Sequence, residues 1–169
     1  MESKKDKKIT LWMADHGITF LRVSLGIIFL WFGFIKYFAG QSPIEDLAMR
    51  TIMTLTFNFF SVGSLQIFLA TLECLIGIGL LTEKFLRLTL LLLLIQLVGA
   101  FAPVFLFPTE VFKIIPIVPT LAGQYIIKDI LIISTGLVLG STVRGGKLIA
   151  DPAIAARAKR TEQAKMDAE

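Results

Sequence analysis

Five ionisable side chains lie within stretches otherwise suited to hydrocarbon: Arg22, Lys36, Glu73, Lys128 and Asp129. The last two are adjacent, in the run GQYIIKDILIIS that begins at Gly123. A charge at the centre of a bilayer costs roughly 2.5–3.5 kcal/mol on insertion scales, so such groups face one another or a polar cavity rather than lipid tails. Depth along the chain suggests the partners. Arg22 is expected to reach Glu73 and form a structural pair that fixes helix register. Lys36 and Lys128 are expected to compete for Asp129. Three cations against two anions leave one positive charge over, which can snorkel to headgroups, lose its proton, or hold an anion or polar ligand. Lys36, Gln124, Tyr125, Lys128 and Asp129 therefore form the candidate ligand site. Four of them carry the few donors that a quinone headgroup needs in an apolar cleft. Gln96 reads as an interhelical hydrogen bonder, Cys74 as packing, and His16, Trp12 and Trp31 as helix-surface residues.

Helices must position these groups, because each falls on a polar or small-residue stripe at helical spacing. Arg22, Gly26, Phe29, Gly33 and Lys36 share one face, as do Gln66, Ala70, Glu73 and Gly77. Thr89, Gln96 and Pro103 mark a third stripe. In the last segment Gln124, Lys128, Leu131 and Thr135 share a face, with Tyr125, Asp129, Gly136 and Gly140 on the adjoining one. Small residues let helices approach closely, so the stripes are expected to face inward. The segments that carry them, about 18–38, 63–81, 86–107 and 121–140, each match the ~20 residues that cross a hydrocarbon core of ~30 Å. The predicted fold is all-α: an integral membrane four-helix transmembrane bundle with a short outer interfacial helix.

Composition agrees with that solvent. Of 169 residues, 55 % are hydrophobic and 18 % charged, with the charges gathered at the two ends. A soluble domain of this size needs more polar surface. One cysteine and one histidine exclude an internal disulfide, a dithiol motif and a metal or haem site built from paired histidines within the chain. The sequence pI near 9.3 is read as membrane orientation rather than as affinity for nucleic acid. The N-terminal tail carries Lys4, Lys5, Lys7 and Lys8, the short second loop Lys84 and Arg87, and the C-terminal tail six more cations. The other two loops hold only Arg50 and Lys113. The positive-inside rule then places both termini in the cytoplasm, with 1–17 a basic tail or interfacial segment and 142–169 a cytoplasmic tail. The apolar run at 18–38 is too long for a signal peptide's core and is read as a retained span.

The outer loops are expected to be ordered. Ser42 as N-cap, Pro43 at the first helical position and Glu45 closing a capping box predict a short helix, with Leu47, Ile52, Leu55 and Phe59 roughly on one face. Pro103, Pro108, Pro116 and Pro119 are expected to preclude a regular helix in the second outer loop, leaving a packed lid. Asp151 and Pro152 predict the start of a polar C-terminal helix or frayed tail.

Taken in order, LRVSLGIIFLWFGFIKYFAGQSP, LECLIGIGLLT and GQYIIKDILIISTGLVLG resemble the DoxX-like family of small bacterial four-helix membrane proteins, which includes relatives linked to reactive-chlorine resistance. The resemblance runs from about Leu21 to Gly140. It implies a membrane subunit of a redox or respiratory assembly, such as a thiosulfate:quinone oxidoreductase, or a membrane partner in oxidative stress. Arg22, Lys36, Glu73, Lys128 and Asp129 match the family's recurring charged positions. No covalent cofactor is implied; a quinone or a bound lipid is the candidate. The chain is not expected to be an enzyme on its own. The expected partners are the lipid bilayer of the bacterial inner membrane and other membrane subunits or further copies of the chain. Two other roles stay open: a purely structural accessory subunit, and a carrier or tolerance protein for a small solute or lipid.

Overall fold

The computed structural model describes residues 4–38, 40 and 44–166. Among these residues four helical stretches are long and apolar enough to cross a membrane: α1 (Lys4–Ile35), α3 (Val62–Thr82), α4 (Leu86–Phe101) with the turn that extends it to Leu106, and α7 (Leu121–Thr142). Around them lie α2 (Glu45–Leu55), α5 (Pro103–Leu106), α6 (Pro108–Val111), the strands β1 (Phe112–Ile114) and β2 (Val118–Pro119), and α8 (Pro152–Met166). The protein is thus a multi-pass, all-α membrane protein apart from one small antiparallel hairpin. In the first span the helix continues back to Lys4, so part of the region expected as a basic tail is one rod with the span.

The four long helices close a ring: α1 meets α3, α3 meets α4, α4 meets α7, and α7 returns to α1. The tightest seam is α1 against α3. A Cβ on Gly77 would lie 2.6 Å from the Leu30 backbone nitrogen, and one on Gly33 would lie 2.8 Å from the Cys74 nitrogen. Only glycine permits that approach, which sets the register of the two helices. The ring encloses a core of Leu25, Phe29, Ile76, Leu80, Leu93, Leu97 and Leu139.

One end of the bundle carries the chain termini and the reversal between α3 and α4, where Glu83 and Phe85 adopt left-handed backbone. The opposite end is capped. There Leu47 of α2, Val111 of α6 and Ile126 of α7 form a second core, flanked by Val104 and Phe107. The expected short helix is present as α2, but Ser42 and Pro43 lie outside the described residues. Glu45, the third residue of that expected cap, accepts the Gly40 backbone N–H instead. The buried face of α2 is Leu47, Met49 and Thr51. Leu55 and Phe59 are exposed, because the helix ends at Leu55 and Phe57 and Asn58 turn left-handed.

In the second loop the prolines do not exclude helix. Pro103 and Pro108 each occupy the first turn of a one-turn helix, where a missing N–H costs nothing. Thr120 then joins the lid to the last span: its hydroxyl donates to the Glu110 carbonyl at 2.6 Å and accepts from the Gly123 N–H that opens α7. At the far terminus Asp151 Oδ1 accepts from the Ala153 N–H at 2.8 Å and caps α8.

Candidate functional site

The glycine contact between α1 and α3 decides which charges meet. With Gly26 and Gly33 seated against α3, Lys36 comes to lie over the middle of that helix, and its ammonium pairs with Glu73 Oε1. Gln96 of α4 donates its amide N–H to the same oxygen at 2.6 Å. Glu73 is only 6 % exposed. Both donors converge on Oε1, so Glu73 Oε2 and the Gln96 side-chain oxygen are buried without a hydrogen-bond partner among the described residues. Asp129 of α7 is half-buried and within electrostatic reach of both Lys36 and Glu73. Gln66 donates to the Lys36 carbonyl at 3.0 Å and ties the end of α1 to α3.

Two expected pairings are corrected. Arg22 does not reach Glu73. It pairs with Glu83, and its other guanidinium nitrogen donates to the Leu80 carbonyl and, at 3.4 Å, to that of Leu81. The antiparallel register places Arg22 level with the last turn of α3, while Glu73 lies more than a turn nearer the capped end. Lys36 and Lys128 do not compete for Asp129 either. Lys36 goes to Glu73, and Lys128 sits on the bundle surface with its ammonium 5.5 Å from the centre of the Tyr125 ring. Successive helical residues point about 100° apart, so Lys128 and Asp129 cannot both face inward.

The five candidate ligand residues therefore split. Lys36 and Asp129 belong to the internal seam with Glu73 and Gln96. Gln124, Tyr125 and Lys128 form an exposed patch on α7. Glu83 was not singled out from the sequence; its one signal is its place in the short reversal TEKF, directly after the α3 span. Gln96 does bridge two helices, as its isolated place in an apolar run suggested.

Beside the seam, beneath α2, lies a cavity of about 30 Å³ lined by Lys36, Glu45 and Gln66 with apolar neighbours including Met49 and Leu69. That is room for a water molecule or two, not for an aromatic headgroup. A wider, open cleft of about 430 Å³ lies far from these charges, between Thr10–Gly17 of α1 and Leu148–Ala150. Above the seam, Arg50 of α2 clasps Glu110 of α6 with both terminal nitrogens, one of them at 2.7 Å. It also reaches Asp46 at 3.0 Å and lies 5.5 Å from the Phe107 ring centre. These groups stand outside the spans. The hydrogen bonds from Arg50 hold the Glu110 carboxyl below its usual range, and the same contact raises the Arg50 guanidinium.

No family model matches the chain, and neither does any curated protein or solved structure. The seam can hold a buried ion pair with spare acceptors, and the α7 patch can donate hydrogen bonds towards the bilayer.

Proposed function

We propose that the protein is a small integral membrane subunit that presents a site for a quinone, or a ligand with a similar polar head, to a redox, respiratory or oxidative-stress assembly. In this reading it lies in a bacterial inner membrane with both termini cytoplasmic and the α2 end outside. One observation carries the reading: an amide, a phenol and an ammonium (Gln124, Tyr125 and Lys128) stand exposed together on a spanning helix. They lie in the first two turns of α7, at the capped end, where polar groups reach the headgroup level and can meet the polar head of a ligand. A quinone carbonyl accepts from such groups, and its isoprenoid tail stays in lipid. The internal cavity is too small for a ring, so the headgroup docks on the α7 surface, with the Lys36–Glu73 pair and Asp129 behind it. The test is photo-crosslinking of a quinone analogue to the full chain in lipid nanodiscs. Labelling on α7 near Tyr125 is expected, with a loss of about tenfold in Lys128→Leu, the size of one charged hydrogen bond. Labelling that ignores Lys128→Leu and Gln124→Leu sinks the site.

One observation favours a purely structural accessory role: α7 is the least buried of the four spans. A neighbouring subunit seated there would cover the same polar patch. In that case the labelling fails, while partners co-purify with the wild-type chain and are lost in the same variants.

A further inference from the structure

We infer that the Glu73–Gln96 pair is a proton-binding site inside the bundle, reached from the capped end. Two buried acceptors carry this proton site, whatever α7 binds. A primary amide that meets a carboxyl group through one N–H···O contact brings its own oxygen beside the second carboxyl oxygen when the two groups are coplanar. Gln96 Nε2 makes the first contact, at 2.6 Å. The two atoms that would then face each other, Glu73 Oε2 and Gln96 Oε1, are both buried and bare among the described residues. Two bare acceptors in a low dielectric are costly, and each unmet group is worth about 1–3 kcal/mol. A single proton on Oε2, donated to Gln96 Oε1, satisfies both atoms and closes a cyclic acid–amide pair.

The charges around the carboxyl ask for the same proton. Lys36, at the end of α1, pairs with Oε1. Asp129 faces it from α7, and Cys74 follows it on α3. The α4 neighbour, Gln96, is neutral. One ammonium against two carboxylates leaves a net charge of minus one, which one added proton cancels. The water-sized cavity under α2 has Glu45 and Gln66 in its wall and ends at Lys36, the partner of Glu73 Oε1. The proton comes from water on the capped side, by way of the Lys36 end of the seam, and returns there. No other bond changes.

Infrared difference spectroscopy of the full chain in nanodiscs tests this, because a protonated carboxyl has its own C=O band and a carboxylate does not. At neutral pH the wild type is expected to show that band, sensitive to deuterium exchange. The band is expected to vanish in Glu73→Gln, to persist in Asp129→Asn only to a lower pH than in wild type because one of the two carboxylates is gone, and to shift in Gln96→Leu, where the amide oxygen that accepts the proton is gone. Glu73→Gln keeps the fold, because its amide donates to Gln96 as the acid would; a melting curve checks it. Absence of the band in wild type, its absence at every pH in Asp129→Asn, or an unshifted band in Gln96→Leu overturns the inference. If Glu73→Gln fails to fold, the other two variants still decide.

Discussion

Glu73 is the residue on which most of the interior depends, and its removal should distinguish pairing from packing. In Glu73→Leu the Lys36 ammonium and the Gln96 amide both lose their acceptor. With its proton in place Glu73 is neutral, so what is lost is the acceptor for the ammonium and for the amide, each about 1–3 kcal/mol. Lys36 is partly open towards the cavity and can swing to water, which places the expected loss at about 3 kcal/mol. A Glu73→Leu, Lys36→Leu double variant should recover only part of that, since it removes the ammonium that lost its acceptor but also takes away the cation near Asp129. Unfolding titrations in lipid of the two single variants and the double variant check it; simple additivity would show that the pair does not couple. The importance of these residues is legible in the sequence, because ionisable groups inside apolar runs stand out. Their partners are not. Whether Arg22 finds Glu73 or Glu83 turns on a shift of about two helical turns between α1 and α3, and that register comes from Gly26, Gly33 and Gly77 meeting in space. Glycines announce a close approach without saying what they approach.

The cap over the bundle is held by apolar packing and by one exposed clasp, Arg50–Glu110, between α2 and α6. Because the clasp holds Glu110 below its unfolded range of about 4.3, it contributes stability above that pH. The contribution is lost as pH falls through the lower folded value. The protection of the α2 amides, taken against their intrinsic exchange at each pH, should therefore be highest near neutral pH and fall modestly below about pH 4. In Glu110→Gln it should be lower already at neutral pH and nearly flat towards acid. An equal fall towards acid in Glu110→Gln would assign the change to another carboxyl. Both partners are over a third exposed, so salt should also weaken the clasp. Much of this architecture was readable in advance: the capped end was expected as a short helix followed by a packed lid. The missing part was how proline acts. Read as a breaker, Pro103 or Pro108 ends a helix; placed in a first turn, each starts one, and only the surrounding packing selects between those roles.

For the molecule as a whole, the charge pattern and the structure bear on which way the bundle sits. Lys84 and Arg87 flank the α3–α4 reversal, at the same end as the chain termini with their many cations. Arg50 and Lys113, the cations of the two opposite loops, belong to the capped end, and Arg50 is already neutralised by Glu110 and Asp46. Only cations count in the positive-inside rule, so the capped end is expected outside. That orientation matters to the proposed proton site, since its cavity opens under α2 and would draw on the outer phase. Cysteine labelling reads it directly. In a Cys74→Ala background, Phe59→Cys sits on an 83 % exposed residue beside α2, and Gln163→Cys lies on the exposed surface of α8. A membrane-impermeant maleimide should label Phe59→Cys in intact spheroplasts and reach Gln163→Cys only after the membrane is opened. The reverse pattern would put the clasp and the cavity in the cytoplasm. The proton at Glu73 would then be exchanged with the cell interior, and the donor patch near the capped end of α7 would serve partners in the inner leaflet.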